Sequence, residues 1–298
     1  MSANSELQAR IKFLDINDDG IRFNQKIRFI LEKWTANCPT KEDVRKSVKS
    51  LYKYSLKDAV LSAKVLLLLT SIKFVTLEVA GENVRALFLR RMHKKFDSTK
   101  KSGFVTDDGS RMSVRILGFF YNKARTASGE VLVFLSGPLI SLLSLLLKSK
   151  EVENVKLFAS QMFLNGVSLK ENQREKFRQI ILDVRTNLLT TEDECIKNWL
   201  MFSLEVSNIG YGILPSDMEV YYKNIIKEEE FGNVYKLTLE NHQQKTVFKA
   251  LNGNSRVEKK EAKKLLTQVD ENIFDKDMKR RNIPSALTRR LEAIRRNK

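Results

Sequence analysis

Glycine and proline are scarce in this 298-residue chain, which contains only 12 glycines and 4 prolines. These two residues supply the backbone conformations that tight turns need, and they make up roughly 12% of an average protein. β-Sandwiches and β-barrels need many such turns. The composition therefore predicts an all-α protein, and the chain is long enough to bury a large core.

Cysteine and histidine are also scarce, and the chain has only Cys38, Cys195, His93 and His242. So few ligands exclude a disulfide scaffold and a zinc module built from four Cys and His residues. The first ten residues carry no secretory signal pattern, so we expect reduced thiols and a location in the cytoplasm or the nucleus. No metal site and no cofactor are predicted.

The known catalytic motifs are missing. The sequence contains no glycine-rich phosphate-binding loop, no G-x-S-x-G nucleophile turn and no H-E-x-x-H zinc motif. His93 lies among like charges in RRMHKKF, and Cys195 follows three acidic residues that disfavour its thiolate. We therefore predict that the protein is not an enzyme.

One long hydrophobic run stands out, residues 131–147, which is 17 residues long. This length is at the low edge of a membrane-spanning helix, and Ser136-Gly137-Pro138 interrupts it. A helix that is apolar nearly all round is typical of a protein core. We therefore predict a buried helix here, and we do not expect a membrane partner.

Helix signals begin at residue 40 and continue to about residue 230. Three segments resemble capping boxes, in which a side-chain acceptor precedes an acid by three residues: Thr40–Asp43, Thr191–Glu194 and Ser216–Glu219. Apolar residues at helical spacing predict further helices, which cover about 56–77, 82–96, 111–125, 130–148, 151–164 and 171–189. A polar loop is predicted at 98–110, and Asn165-Gly166 is predicted to end a helix. We therefore expect three parts: an N-terminal segment, 1–39, a helical domain, 40–230, and a basic C-terminal extension, 231–298, which we predict to be partly ordered.

Positive charge is abundant, with 53 Lys and Arg against 36 Asp and Glu, a net charge of +17. Residues 85–125 hold 11 basic and 3 acidic residues, and residues 256–298 hold 14 and 7. Such density attracts phosphates, so we predict that RNA is a partner. The predicted RNA-binding residues are Arg85, Arg90, Arg91, Lys94, Lys95, Lys100, Lys101, Arg111, Arg115, Lys279, Arg280, Arg281, Arg289 and Arg290.

Five segments of the chain form an ordered pattern: YSLKDAVLSAK (54–64), ENVRALFLRRMHKKFDS (82–98), RMSVRILGFFYNKA (111–124), EVENVKLFASQMFLNGVSLKE (151–171) and residues 191–212. An Arg- and Leu-rich helix precedes the polar loop, and the next helix has a Leu117-Gly118 core. An apolar helix with an acidic start and a closing segment follow in order. This pattern resembles the middle domain of translation initiation factor 4G. Ser207 and Tyr211 depart from the closing motif of that family, which has Arg and Trp there.

The resemblance covers about residues 42–225 and is greatest to the small single-domain members that interact with the poly(A)-binding protein or the stem-loop-binding protein. It implies antiparallel helix pairs stacked as a HEAT-like solenoid, here with a basic C-terminal appendage. It also implies a scaffold of mRNA translation or metabolism that binds RNA and proteins, for example an RNA helicase. The alternative is an RNA-coating nucleocapsid-type protein of a negative-strand RNA virus, which would form homo-oligomers.

Overall fold

Eleven α-helices and one short antiparallel strand pair make up the part of the chain that the computed structural model describes, residues 3–14, 20–71, 74–103, 105, 107–212 and 214–226. The all-α prediction is confirmed. The basic C-terminal extension lies outside the described residues. The elements are α1 (Ala3–Lys12), α2 (Gly20–Asn37), α3 (Lys41–Ser55), α4 (Ala59–Thr70), β1 (Glu78–Val79), β2 (Glu82–Asn83), α5 (Val84–Ser102), α6 (Asp108–Lys123), α7 (Ser136–Lys148), α8 (Val152–Asn172), α9 (Arg174–Thr190), α10 (Glu194–Asn208) and α11 (Ser216–Ile225).

The predicted capping box at the start of α3 is confirmed. The hydroxyl of Thr40 accepts a hydrogen bond from the backbone N–H of Asp43, and the Asp43 carboxylate accepts one from the backbone N–H of Thr40. Two backbone donors that the helix cannot satisfy internally are thereby paired. The sequence therefore determines where α3 begins.

The other two predicted capping boxes are wrong. Helix α10 begins at Glu194 because the carboxylate of Asp193, and not the hydroxyl of Thr191, caps it by accepting from the N–H of Ile196 at 3.0 Å. Helix α11 begins after Pro215 and has no side-chain cap. Pro215 occupies the N-cap position, and because proline lacks an N–H, this helix start has one backbone donor fewer to satisfy.

The predicted polar loop at 98–110 is much shorter in the structure. Helix α5 continues through Ser102 and ends at Gly103, which adopts the left-handed φ of 73°. Helix α6 then begins at Asp108 because Asp107 caps its N-terminus. The prediction failed because a helix flank that faces solvent has the same polar composition as a loop.

The predicted helix stop at Asn165-Gly166 is also wrong, since α8 continues to Asn172. Gly166 lies in mid-helix because the ring of Tyr211 packs directly over it, and a Cβ at this position would come within 2.2 Å of Tyr211 Cε1. Gly118 on α6 serves the same purpose, because a Cβ there would be 1.6 Å from Oε1 of Gln161 on α8. Both glycines permit close helix packing and do not end a helix.

Helix α8 lies at the centre of the helical unit and contacts α6, α7, α9 and α10. From α3 onward, helices pack against the next helix or the next but one along the chain, as in the contacts of α3 with α5, α6 with α8 and α8 with α10. At the N-terminal side, α1 packs against α2, α3 and α4. The core is therefore built largely from neighbours in sequence, which keeps contact order low.

The apolar run 131–147 folds as a 3₁₀ turn, Val133–Leu135, followed by α7. Ser136-Gly137-Pro138 forms the first turn of α7 and does not interrupt it, since proline is well tolerated there. Leu142 and Leu146 are buried, which confirms the predicted core helix. Among the described residues, we find no helix with the length and apolarity required to cross a membrane.

Replacing Leu142 or Leu146 with Ala should lower the free energy of unfolding by about 2–5 kcal/mol, because each change leaves a cavity in the core. Leu189→Ala is the matched control, since this leucine is 87% exposed on α9. Chemical denaturation measures all three variants. A loss for Leu189→Ala equal to that for Leu142→Ala would contradict the burial of α7.

Gly166→Ala should destabilise the protein by about 1–3 kcal/mol, because the added methyl group forces the Tyr211 ring away from α8. The control is Gly137→Ala, where the nearest atom, Nε2 of Gln173, is 4.0 Å from the added Cβ. That change should be neutral or stabilise by up to about 1 kcal/mol through helix propensity. Equal thermal midpoints for the two variants would show that Gly166 is not a close-packing position.

Candidate nucleic-acid interface

The basic residues of α5 lie on two different sides of this helix. Arg90 and Lys94 line a groove between α5, α6 and the start of α7, whereas Lys95 lines a second groove between α3, α5 and α6. The separation follows from helix geometry, because each residue turns the side-chain direction by about 100°. The structure thus divides the single basic face that the sequence suggested.

The second groove, here called the basic groove, is a cavity of about 660 Å³ where the end of α3 meets the N-terminal half of α6. Lys53, Lys57 and Arg115 line it with exposed side chains, and Lys95 contributes from α5. Its full lining is Lys53, Leu56, Lys57, Ala59, Lys95, Asp107, Asp108, Gly109, Arg111, Met112, Arg115 and Glu153.

The acidic residues of the basic groove are each held by another partner. Asp108 pairs with Arg111 at 3.1 Å, and Glu153 pairs with Lys156 at 3.0 Å. Asp107 accepts a hydrogen bond from the Ser110 hydroxyl at 2.5 Å, and this bond, more than any other influence, lowers the pKa of that carboxyl. Among the described residues, Lys53, Lys57 and Arg115 form no ion pair. Their charges are therefore available to a ligand.

Lys95 is positioned by the first turn of α6. Its ammonium group donates a hydrogen bond to the Ser110 hydroxyl at 3.1 Å, and Ser110 in turn donates to Asp107. The cap of α6 thus orients a lysine of α5 toward the basic groove. This contact joins the helix N-terminus and the groove in one hydrogen-bonded chain.

The structure corrects the prediction for Arg85, which is buried with only 4% of its surface exposed. Its guanidinium donates a hydrogen bond to the carbonyl of Arg125 at 2.7 Å and lies 5.5 Å from the centre of the Phe120 ring. It therefore satisfies a carbonyl just beyond the end of α6, where a positive charge is favourable. The charge of Arg85 is therefore not part of the exposed basic surface.

Arg111 is also engaged within the protein. It pairs with Glu151 at 2.6 Å and with Asp108 at 3.1 Å, and its Nε donates to the side chain of Asn154 at 2.9 Å. These contacts fasten the start of α6 to the start of α8. Because carboxylates neutralise its charge, Arg111 lines the basic groove mainly as a structural residue.

Sequence reasoning missed a row of four exposed lysines on α3 and just beyond it. Lys46, Lys49, Lys53 and Lys57 follow one another at helical spacing, on the side opposite the buried Val44 and its apolar neighbours. The i, i+3, i+7 spacing was visible in the sequence. Residues 85–125 carry a denser positive charge, but it is Lys53 and Lys57 of this row that line the basic groove.

The remaining predicted residues are scattered. Arg91 is half-buried, and Lys100 and Lys101 are exposed in the last turn of α5, away from both grooves. His93 is exposed, with Nε2 3.5 Å from a carboxylate oxygen of Asp97. The five predicted residues of the C-terminal extension, which lie outside the described residues, are Lys279, Arg280, Arg281, Arg289 and Arg290.

The sequence matches no protein-family model and no curated protein. The described surface is therefore the basis for a functional assignment. Its distinctive chemistry is the basic groove, where cations from α3, α5 and α6 converge. Across the described residues, no cluster of three or more His, Cys, Asp and Glu side chains is arranged to hold a metal ion.

Replacing Arg85 with Ala should lower stability by about 1–3 kcal/mol, because the carbonyl of Arg125 loses its charged donor inside the protein. The RNA affinity of the folded fraction should not change. Thermal unfolding and RNA titration of the same sample measure both quantities. Weaker RNA binding at an unchanged thermal midpoint would instead place Arg85 in the RNA interface.

Proposed function

We propose that this protein is a non-catalytic, RNA-binding scaffold of mRNA translation or mRNA metabolism, acting in the cytoplasm or the nucleus. One observation carries the proposal, which is the convergence of Lys53, Lys57, Lys95 and Arg115 from three helices on one groove. When such cations neutralise RNA phosphates, they release the counterions condensed on the RNA, and this release favours binding. The ligand that best suits these cations is a single-stranded RNA whose phosphates lie along the groove.

The row of lysines on α3 extends this surface beyond the groove itself. Lys46 and Lys49 continue the line of Lys53 and Lys57, so a bound strand meets cations at successive turns of one helix. Tyr54, 48% exposed in the last turn of α3, offers a ring on which a base can stack. Phosphate contacts and stacking are independent of base identity, so we expect little sequence preference.

The scaffold part of the proposal is supported by the packing order of the helices. Each helix from α3 to α10 contacts the next helix or the next but one. A HEAT-like stack of antiparallel helix pairs produces this order of contacts. Such a stack offers long surfaces on which RNA and protein partners bind side by side. Kinship with the middle domain of translation initiation factor 4G remains part of this proposal.

The test is the triple variant Lys53→Gln, Lys57→Gln, Arg115→Gln, assayed by fluorescence anisotropy with a labelled oligouridine of about 15 nucleotides. If three phosphate contacts are lost, affinity falls and the slope of log K against log salt flattens by about 2, since each single-strand contact contributes about 0.7. All three side chains are exposed, so the thermal midpoint should stay constant.

The matched control is Arg178→Gln, Arg185→Gln, which removes exposed charges from α9. It should leave the salt slope nearly unchanged. If the triple variant and the control behave alike, the basic groove is not the RNA site.

Native mass of the wild-type complex with RNA distinguishes a scaffold from an RNA-coating protein, because a coating protein forms rings or filaments whereas a scaffold stays small.

A further inference from the structure

The first groove, here called the apolar groove, lies on the opposite side of α5 from the basic groove. It is a cavity of about 570 Å³ bounded by α5, α6 and the start of α7. That volume is within the range of about 300–1,000 Å³ that ligand pockets occupy. Its lining is Leu89, Arg90, Met92, His93, Lys94, Phe96, Leu117, Phe134, Leu135 and Pro138.

The floor of the apolar groove consists of apolar side chains. Leu89, Met92 and Leu117 come from the two long helices, and Leu135 and Pro138 close the end toward α7. Phe134 leaves 63% of its surface exposed beside this floor, an unusual position for so large a ring. A partner that covers the groove would therefore remove a continuous apolar surface from water.

The floor does not suit a nucleobase. The side chains of the floor residues Leu89, Met92, Leu117, Leu135 and Pro138 are apolar, so they offer no hydrogen-bond partner for the polar edges of a base. A buried edge left without partners costs binding free energy. Leucine or phenylalanine side chains of a peptide bring no such edges, so the floor favours a protein segment over RNA.

The rim of the apolar groove is basic. Arg90 and Lys94 are exposed one helical turn apart on α5, and His93 lies between them, while no carboxylate is present in the lining. Asp97, the nearest acid along the helix, faces His93 at 3.5 Å. Charge complementarity therefore requires acidic residues on the occupant. A second copy of this chain, with a net charge of +17, is a poor match.

We propose that the apolar groove docks an acidic amphipathic segment of a partner protein. Large apolar residues of one helical face fill the groove, in the helix-in-groove mode with anchors at i, i+3 or i+4 and i+7. Glutamate or aspartate residues beside these anchors face Arg90 and Lys94. Phe134 packs against the apolar face from the side, as an aromatic anchor of the interface. The inference goes beyond RNA binding, because it uses a different groove and a different class of partner.

The experiment selects peptides of about 16 residues from a random display library against the full chain, long enough for four helical turns. We expect enrichment of peptides that combine acidic residues with large apolar residues at helical spacing. Synthetic copies of the selected peptides should lose about tenfold or more in affinity for Arg90→Glu, Lys94→Glu, and several-fold for Phe134→Ala. Arg178→Glu, Arg185→Glu is the control for charge, and Val133→Ala for exposed apolar surface, because Val133 is 49% exposed and outside the lining.

The proposal is overturned by any of three results. The enriched peptides are not acidic, or the library yields none, or the groove variants bind selected peptides as the wild type does. Oligouridine binding by the same variants separates this inference from the proposed RNA function. If Phe134→Ala and the Arg90, Lys94 reversal weaken RNA binding and not peptide binding, the apolar groove belongs to the RNA surface instead. If the basic-groove variant alone loses RNA binding and the apolar-groove variants alone lose peptide binding, both assignments hold.

Discussion

Close packing around α8 is the constraint on which the rest of the described fold depends. Gly118 lets α6 approach the Gln161 side chain on α8, and Gly166 lets the Tyr211 ring lie directly on the α8 backbone. A larger residue would displace the Gln161 side chain at the first position and the Tyr211 ring at the second. Because α8 also contacts α7 and α9, both displacements would occur at the centre of the described core.

The position of α6 against α8 determines where both grooves lie. Arg111 ties the start of α6 to the start of α8 through Glu151 and Asn154, and Gly118 brings the middle of α6 close. The N-terminal half of α6 then closes the basic groove with α3, while Leu117 forms part of the apolar groove. Because α5 lies between the two grooves, the proposed RNA site and the proposed peptide site are on different sides of this helix.

The cations described above fall into two groups by their environment. Arg85 and Arg111 stabilise helix ends and helix contacts, one buried beside Phe120 and the other held by two carboxylates. Lys53, Lys57 and Arg115 remain exposed and face a common groove. Local net charge therefore overstates the number of exposed, unpaired cations in residues 85–125.

The sequence by itself determined the all-α class, the start of α3 at its capping box and the burial of Leu142 and Leu146, because caps and apolar periodicity are local signals. Only the tertiary structure decided that Gly166 continues α8, since the reason is the Tyr211 ring, 45 residues further along the chain. It also decided which cations converge, because Lys53 and Arg115 meet only when α3 and α6 pack around α5. Helical spacing determines which residues share a face of one helix. The partners of that face depend on contacts between residues far apart in sequence, which no local pattern records.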